Sequence, residues 1–205
     1  GKESMPRAYQ LDSYEKLKEH IMHQDFQCAK IIVTGDGRVA KGTLEFLEFA
    51  NINQITENEF KTYNHSTAVF CNLPTSKYVK RKDDKEFDLQ HFIQSPDMYV
   101  SDLENFLPHA TMLISSHYWD PKSPRLFEKQ NFQQYTQLKV IGDITCDING
   151  SIPTTIRSTS IAKPYYSFDI NSMKEIDLCN KGIAVMAVDN LPSELPREAS
   201  EEFGH

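Results

Sequence analysis

Apolar and polar positions along the chain follow two periods. Across 11–24 (LDSYEKLKEHIMHQ), Leu11, Tyr14, Leu17, Ile21 and Met22 recur every three or four positions, with Asp12 or Ser13 available as N-cap. That spacing predicts an amphipathic helix. At 29–34 (AKIIVT) the pattern changes to a short β-branched run, the signature of a parallel strand buried on both faces. The run ends in Gly35-Asp36-Gly37-Arg38-Val39-Ala40-Lys41-Gly42, and TLEFLEFA then reads as helix. Comparable apolar runs return at 66–71 (STAVFC), 110–116 (ATMLISS), 138–144 (LKVIGDI) and 182–189 (GIAVMAVD). Polar, helix-compatible sequence separates them, including 96–107 (PDMYVSDLENFL) and 123–132 (SPRLFEKQNF). Strands alternating with helical patterns predict an α/β fold built on a mostly parallel, doubly wound sheet with flanking helices.

The remaining segments are less regular. YVKRKDDKEFD (78–88) mixes four basic with four acidic residues and reads as a solvated surface excursion. Proline and glycine bound 149–164, which reads as an irregular connection. After Pro192 a helix-compatible run reaches His205 without a C-cap, an expectation that the natural chain continues. The reading divides the chain into a leading segment and helix at 1–27, a nucleotide-binding domain at 28–192, and the start of a returning helix at 193–205.

Composition narrows the chemistry. With 22 Lys and Arg against 29 Asp and Glu, the net charge of −7 provides no global positive field. This argues against nucleic acid and anionic membrane as partners. No apolar run approaches the roughly 18–20 residues of a membrane span, and Gly1 to Gln10 contains no signal-peptide core. Cys28, Cys71, Cys146 and Cys179 form no C-x-x-C pair, so reduced thiols in a cytosol-like compartment are expected. His20 and His23 lack a third neighbouring ligand, so no metal site is expected. Neither a nucleophile elbow nor H-E-x-x-H occurs.

The glycine turn carries the most chemistry. Gly35-x-Gly37-x-x-Ala40 fits the Rossmann fingerprint in its G-x-G-x-x-A form, in the strand–turn–helix context that fingerprint requires. Gly35 would permit the tight turn, Gly37 would let a pyrophosphate approach the backbone, and Ala40 would let helix and strand pack closely. The helix N-terminus then offers free N–H groups and partial positive charge. Lys41 and Gly42 do not make a P-loop, because the order G-x-x-x-x-G-K-[ST] is absent. Glu57, 20 residues past Gly37, is the candidate acid for the ribose hydroxyls; Glu59 competes with it. A carboxylate there favours NADH, whereas Lys61 or the 78–88 loop could serve a phosphate. Two further strand ends carry polar chemistry: Ser115-Ser116-His117-Tyr118-Trp119-Asp120-Pro121, and GDITCDINGSIP with Asp143 and Asp147. His117 reads either as a general base or as packing.

Taken together, GDGRVAKG, FANINQITENEF, VKRKDDKEFD, HYWDPKSPRLF, VIGDITCDINGSIP and AVDNLPSELPREASEEFG resemble the saccharopine dehydrogenase and lysine–2-oxoglutarate reductase family. The likeness runs from about residue 28 to 205, and DNLP-x-x-LPREASE is its most specific stretch. More distantly, the chain is similar to alanine dehydrogenase and transhydrogenase. The resemblance implies an NAD(P)H-dependent oxidoreductase of lysine metabolism with two α/β domains, of which this chain is the second. The family's catalytic residues then belong to a first domain outside this chain. Lysine, 2-oxoglutarate and saccharopine would be handled through that domain. Carried over by resemblance, the cofactor contacts are Gly35, Gly37, Arg38, Val39 and Ala40; Glu57; Ser116 and His117; Asp143 and Ile144; and Val188, Asp189, Asn190 and Leu191. Synthase-type relatives use NADPH, so the choice between NAD and NADP stays open. The implied location is cytoplasmic, or the mitochondrial matrix for an animal-type synthase. An alanine-dehydrogenase-type domain and a non-catalytic nucleotide-binding module are the alternatives.

Overall fold

A computed structural model describes residues 5–11, 13–64, 66–177 and 182–204, the side chains of 202 and 203 excepted. Asp12, Cys179 and His205 fall outside the described residues. The first helix, α1 (Tyr14–Met22), starts at Ser13, whose hydroxyl accepts from the Lys16 amide at 3.3 Å. Leu17 and Ile21 are buried as the periodicity predicts, but Met22 is turned outward.

The central strand β1 (Lys30–Thr34) feeds the glycine turn and then α2 (Arg38–Phe49). Next come β2 (Asn53–Gln54), α3 (Glu57–Thr62), β3 (Val69–Leu73), α4 (Thr75–Tyr78), β4 (Val79–Arg81), α5 (Leu89–Gln94) and β5 (Tyr99–Ser101). The later elements are β6 (Met112–Ser115), β7 (Val140–Asp143), β8 (Tyr165–Asp169), β9 (Lys174–Ile176), β10 (Ile183–Met186) and α6 (Pro196–Phe203). Eight strands form one sheet in the order β2-β3-β1-β6-β7-β10-β8-β9. The six from β2 to β10 run parallel, and β8 and β9 close one edge antiparallel. This is a mostly parallel sheet of the Rossmann type.

Alternation along β1 divides the interior in two. Ile31 and Val33 join Leu17 and Ile21 of α1 and Leu47 of α2 on one face, so the leading helix shares its core with the central strand. Ile32 points the other way, into a larger cluster with Phe60, Tyr78, Leu113, Phe127 and Ile141. On that second face the expected helices at 96–107 and 123–132 do not form. The first becomes three 3-10 turns around β5, which pairs antiparallel with β4; the second holds only the start of a 3-10 stretch at Lys129–Gln134. Pro96 and Pro108 remove amide donors at the turns of the first segment, and Pro124 does so in the second. Within β5, Tyr99 is buried and Val100 exposed, a period of two. The 149–164 connection is irregular, yet its stretch 150–155 is buried against β7. At the other end α6 stops at Phe203, where the Gly204 amide donates to the Glu201 carbonyl, so the run does have a closing residue.

One feature of the order sets the geometry of the site. The neighbour of β1 is β3, and β2 lies outside it. Residues following β2 therefore stand two strands from the glycine turn.

Candidate nucleotide-binding site

Register brings the site together. Thr34 of β1 pairs with Ser115 of β6, and Ser115 with Asp143 of β7. β10 extends the row, with Met186 opposite Gly142. The segments that follow, at Gly35, Ser116, Ile144 and Val188, thus emerge side by side at the carboxyl end of the sheet, where open α/β sheets bind ligands.

At the turn the two glycines have different reasons. Gly35 has φ +102°, and a Cβ there would lie 2.8 Å from the Ser116 carbonyl oxygen. Its amide donates to Leu73 O at 2.9 Å, tying the turn to β3. Gly37 has φ −79° and ψ −170°, extended backbone open to any residue, and a Cβ there would meet nothing within 4 Å. As N-cap of α2 it supplies no side-chain acceptor, so the amides of the first turn keep their donor capacity at that open face. Ala40 is fully buried where α2 crosses the sheet, while Arg38 and Val39 are exposed. A backbone cradle open above Gly37 fits a pyrophosphate.

Side chains beyond β6 and β7 are organised by hydrogen bonds. His117 Nδ1 and Thr34 Oγ1 share a bond of 2.9 Å, and the imidazole packs against Tyr78 at 5.9 Å between ring centres. Its Nε2 is buried without a partner, and burial pushes the imidazole down to about 4, so the ring is neutral at physiological pH. Ser116 Oγ bonds Thr43 Oγ1 of α2 at 3.1 Å. Asp143 is completely buried, with four donors on its carboxylate. Ser115 Oγ (2.9 Å), Thr145 Oγ1 (2.7 Å) and Thr145 N (3.2 Å) bond Oδ1, and Thr155 Oγ1 (2.6 Å) bonds Oδ2. This carboxylate is a structural hub that pins the buried 150–155 loop to β6 and β7. Ile144 N donates to Ser115 O at 3.0 Å. Asp147, nearby, is raised by its own burial and by the charge of Asp143. Beyond β10, Val188 is buried beside Thr159, whereas Asp189 and Asn190 are exposed and Leu191 half-buried.

Glu57 stands apart from this row. It opens α3 after the edge strand β2 and lines a cavity of about 620 Å³ with Gln54, Thr56, Asn58, Glu59 and Asn72. Its rival Glu59 is committed: it accepts from Thr56 N at 2.8 Å and Thr56 Oγ1 at 2.6 Å in a capping box, bonds that hold its carboxyl below the usual range. The cations expected to meet a phosphate are also engaged. Lys61 Nζ sits over the Phe106 ring at 4.3 Å. Lys80 pairs with Asp102 (2.7 Å), Arg81 with Asp83 (2.8 Å), and Lys82 donates to Asp97 O (2.6 Å). Lys77 of α4 is the cation on Glu57, 3.1 Å from its carboxylate. Sequence reasoning missed Lys77 and Asn72, whose position depends on β3 lying beside β1.

Among the described residues no group of three or more His, Cys, Asp or Glu could hold a metal ion, and no helix is long and apolar enough to cross a membrane. No protein-family model matches the chain. Curated relatives do match. Alpha-aminoadipic semialdehyde synthase of Arabidopsis thaliana is 31% identical over 195 residues, 84% of this chain and 18% of that protein. The mitochondrial alpha-aminoadipic semialdehyde synthases of Rattus norvegicus and Bos taurus are 28% and 27% identical over 197 and 201 residues. Each match covers 84% of this chain and 21% of the relative. This chain, spanning about a fifth of their length, is homologous to one segment of the alpha-aminoadipic semialdehyde synthases.

Proposed function

We propose that this chain is the nicotinamide-nucleotide-binding part of a saccharopine-dehydrogenase-type oxidoreductase of lysine metabolism, the lysine–2-oxoglutarate reductase. The observation that carries the reading is the Gly35–Gly37 turn, open above Gly37 at the head of α2, in a chain homologous to alpha-aminoadipic semialdehyde synthase. In that reaction lysine condenses with 2-oxoglutarate and the bound nicotinamide supplies the hydride. This chain's part is to bind and orient. The first-turn amides of α2 hold the pyrophosphate, and Glu57 and Asn72 border the adenosine end. Ser116, neutral His117 and the 188–191 segment face the nicotinamide half. Asp143 holds the strand ends that carry them in place. Proton transfer and substrate recognition then fall to residues outside this chain. The animal relatives' mitochondrial designation supports the mitochondrial matrix for an animal source; for any other source our reading is the cytoplasm.

Titration of NADH and NADPH into the chain, followed by calorimetry, tests this. Saturable binding of a reduced nicotinamide nucleotide is expected, without its oxidation when lysine and 2-oxoglutarate are added. Absence of binding by both nucleotides refutes the site; turnover dependent on both substrates refutes the assignment of catalysis elsewhere.

A further inference from the structure

We propose that Arg7, in the segment before the first helix, is a positioning residue for the nicotinamide side of the nucleotide site, holding the 188–191 segment in place through Glu194 and the Ile161 carbonyl. The inference rests on the nucleotide-binding reading and deepens it by naming what keeps one wall of that site in register. Just after β10 the chain is fastened to the 157–163 connection. Thr159 N donates to Ala187 O at 2.7 Å, Ala187 N to Thr159 Oγ1 at 3.1 Å, and Asp189 N to Thr159 O at 3.3 Å. From Asn190 onward this fastening ends. Among the described residues, the bonding amides of 190–195 turn to their own neighbours, Ser193 to Asn190 O and Leu195 to Pro192 O.

Arg7 closes the gap from both sides. Its Nη2 donates to Ile161 O at 2.8 Å, within the tight turn Ser160–Lys163, and pairs with Glu194 Oε1, just past the 188–191 segment. Glu194 Oε2 also accepts from Tyr9 N at 3.4 Å. The Glu194 side chain is only 15% exposed, so this pair is shielded from water and worth more than an open surface pair. Arg7 is itself set by its amide, which donates to Gln10 Oε1 at 2.8 Å. No residue of 5–11 is buried; Ala8 and Leu11 lean on the α1–α2 core, and Arg7 reaches the site end. Without the guanidinium, Glu194 would be a largely buried charge without its cation, driven outward to water and drawing 190–193 with it. A ligand that needs a segment docked only part of the time loses apparent affinity by that fraction.

The test compares NADH with ADP-ribose, or NADPH with 2′-phospho-ADP-ribose, whichever pair wild type binds more tightly. The second member of each pair lacks the nicotinamide ring. Both are titrated calorimetrically into wild type, Arg7→Met, Glu194→Gln and the double variant, and the fluorescence of the reduced nicotinamide is followed in parallel. In Arg7→Met and in Glu194→Gln the ratio of the two affinities should fall by about fivefold or more, the scale of one partly shielded charge-assisted contact. The fluorescence change on binding should diminish with it, and the double variant should be no worse than Arg7→Met, because the two residues act as one unit. Retained binding of the ring-lacking probe shows that each variant is folded. A loss shared equally by both probes, a ratio that moves by less than about fivefold, or additive losses in the double variant overturns the role of Arg7 and leaves the nucleotide site standing. If wild type binds neither reduced nucleotide, the nucleotide reading falls and this inference with it.

Discussion

Gly35 and Gly37 lie two residues apart, yet substitution should separate folding from binding. At Gly35 the backbone has φ +102°, a region L side chains rarely adopt, and holding alanine there costs about 1–3 kcal/mol. The new Cβ would also lie 2.8 Å from Ser116 O and 3.1 Å from the His117 Cα, both backbone atoms of β6's continuation that no rotamer change can move. Overpacking of that kind adds about 1–3 kcal/mol. Gly35→Ala should therefore lose about 2–6 kcal/mol, and at about 2–4 °C per kcal/mol for a chain of this size the melting temperature falls by roughly 4–24 °C. Gly37→Val meets neither obstacle, since its backbone is ordinary and its Cβ direction is open. Exchanging an N-cap glycine for valine costs about 1 kcal/mol. The branched methyls would instead fill the space above the first-turn amides of α2, so nucleotide binding should be lost in a folded protein. Thermal unfolding by circular dichroism and calorimetric titration with NADPH measure the two effects on the same samples. A Gly35→Ala variant melting with wild type refutes the steric argument; a folded Gly37→Val variant with unchanged affinity removes the turn from the site.

Three further outcomes are expected. His117 is pushed down to about 4 from its ordinary 6.5, so between those values the unfolded chain binds more protons than the folded one. Stability should then fall as pH drops through that window, by about 3 kcal/mol in total, and level off below it; urea titrations at successive pH values should show this slope reduced in His117→Gln. Asp143→Ala removes the shared acceptor of Ser115, Thr145 and Thr155, and should cost about 2–4 kcal/mol in urea unfolding, with Asp143→Asn milder. Glu59→Ala should lower the melting temperature by breaking the α3 cap, whereas Glu57→Gln, which gives up only an accessible ion pair with Lys77, should leave it unchanged.

Much of the framework was legible because strands buried on both faces cannot hide. β1, β3, β6, β7 and β10 each announce themselves as a run of β-branched and aliphatic residues, and α1 and α2 by an apolar stripe. The edges were harder. β2 is two residues long and both are exposed, so it has no pattern to read. β8 (YYSFD) buries Tyr166, Ser167 and Phe168 against partners met only in three dimensions, and β9 is largely exposed. The stretch 96–107 is helix-compatible in composition, but Pro96 at its start and Pro108 just beyond its end bound it with residues that cannot donate to a helix. Tyr99–Ser101 then found a better partner in Val79–Arg81 than in its own sequence neighbours.

The site divides along the same line. Its glycines could be read because strand, turn and helix are contiguous, and a local pattern is sufficient to demand them. Asp143 was legible as a polar residue at a strand end, but not as the acceptor that joins β6, β7 and the 150–155 loop. That role depends on Ser115 and Thr155, which lie 28 and 12 residues away. Glu57 and Lys77 show the limit most clearly. They lie 20 residues apart and meet because β2 pairs with β3, which brings the ends of the two strands together. Counting forward from a glycine turn finds the acid that follows the next strand in the chain. The partner that acid meets is decided by the next strand in the sheet, and here a lysine follows that strand.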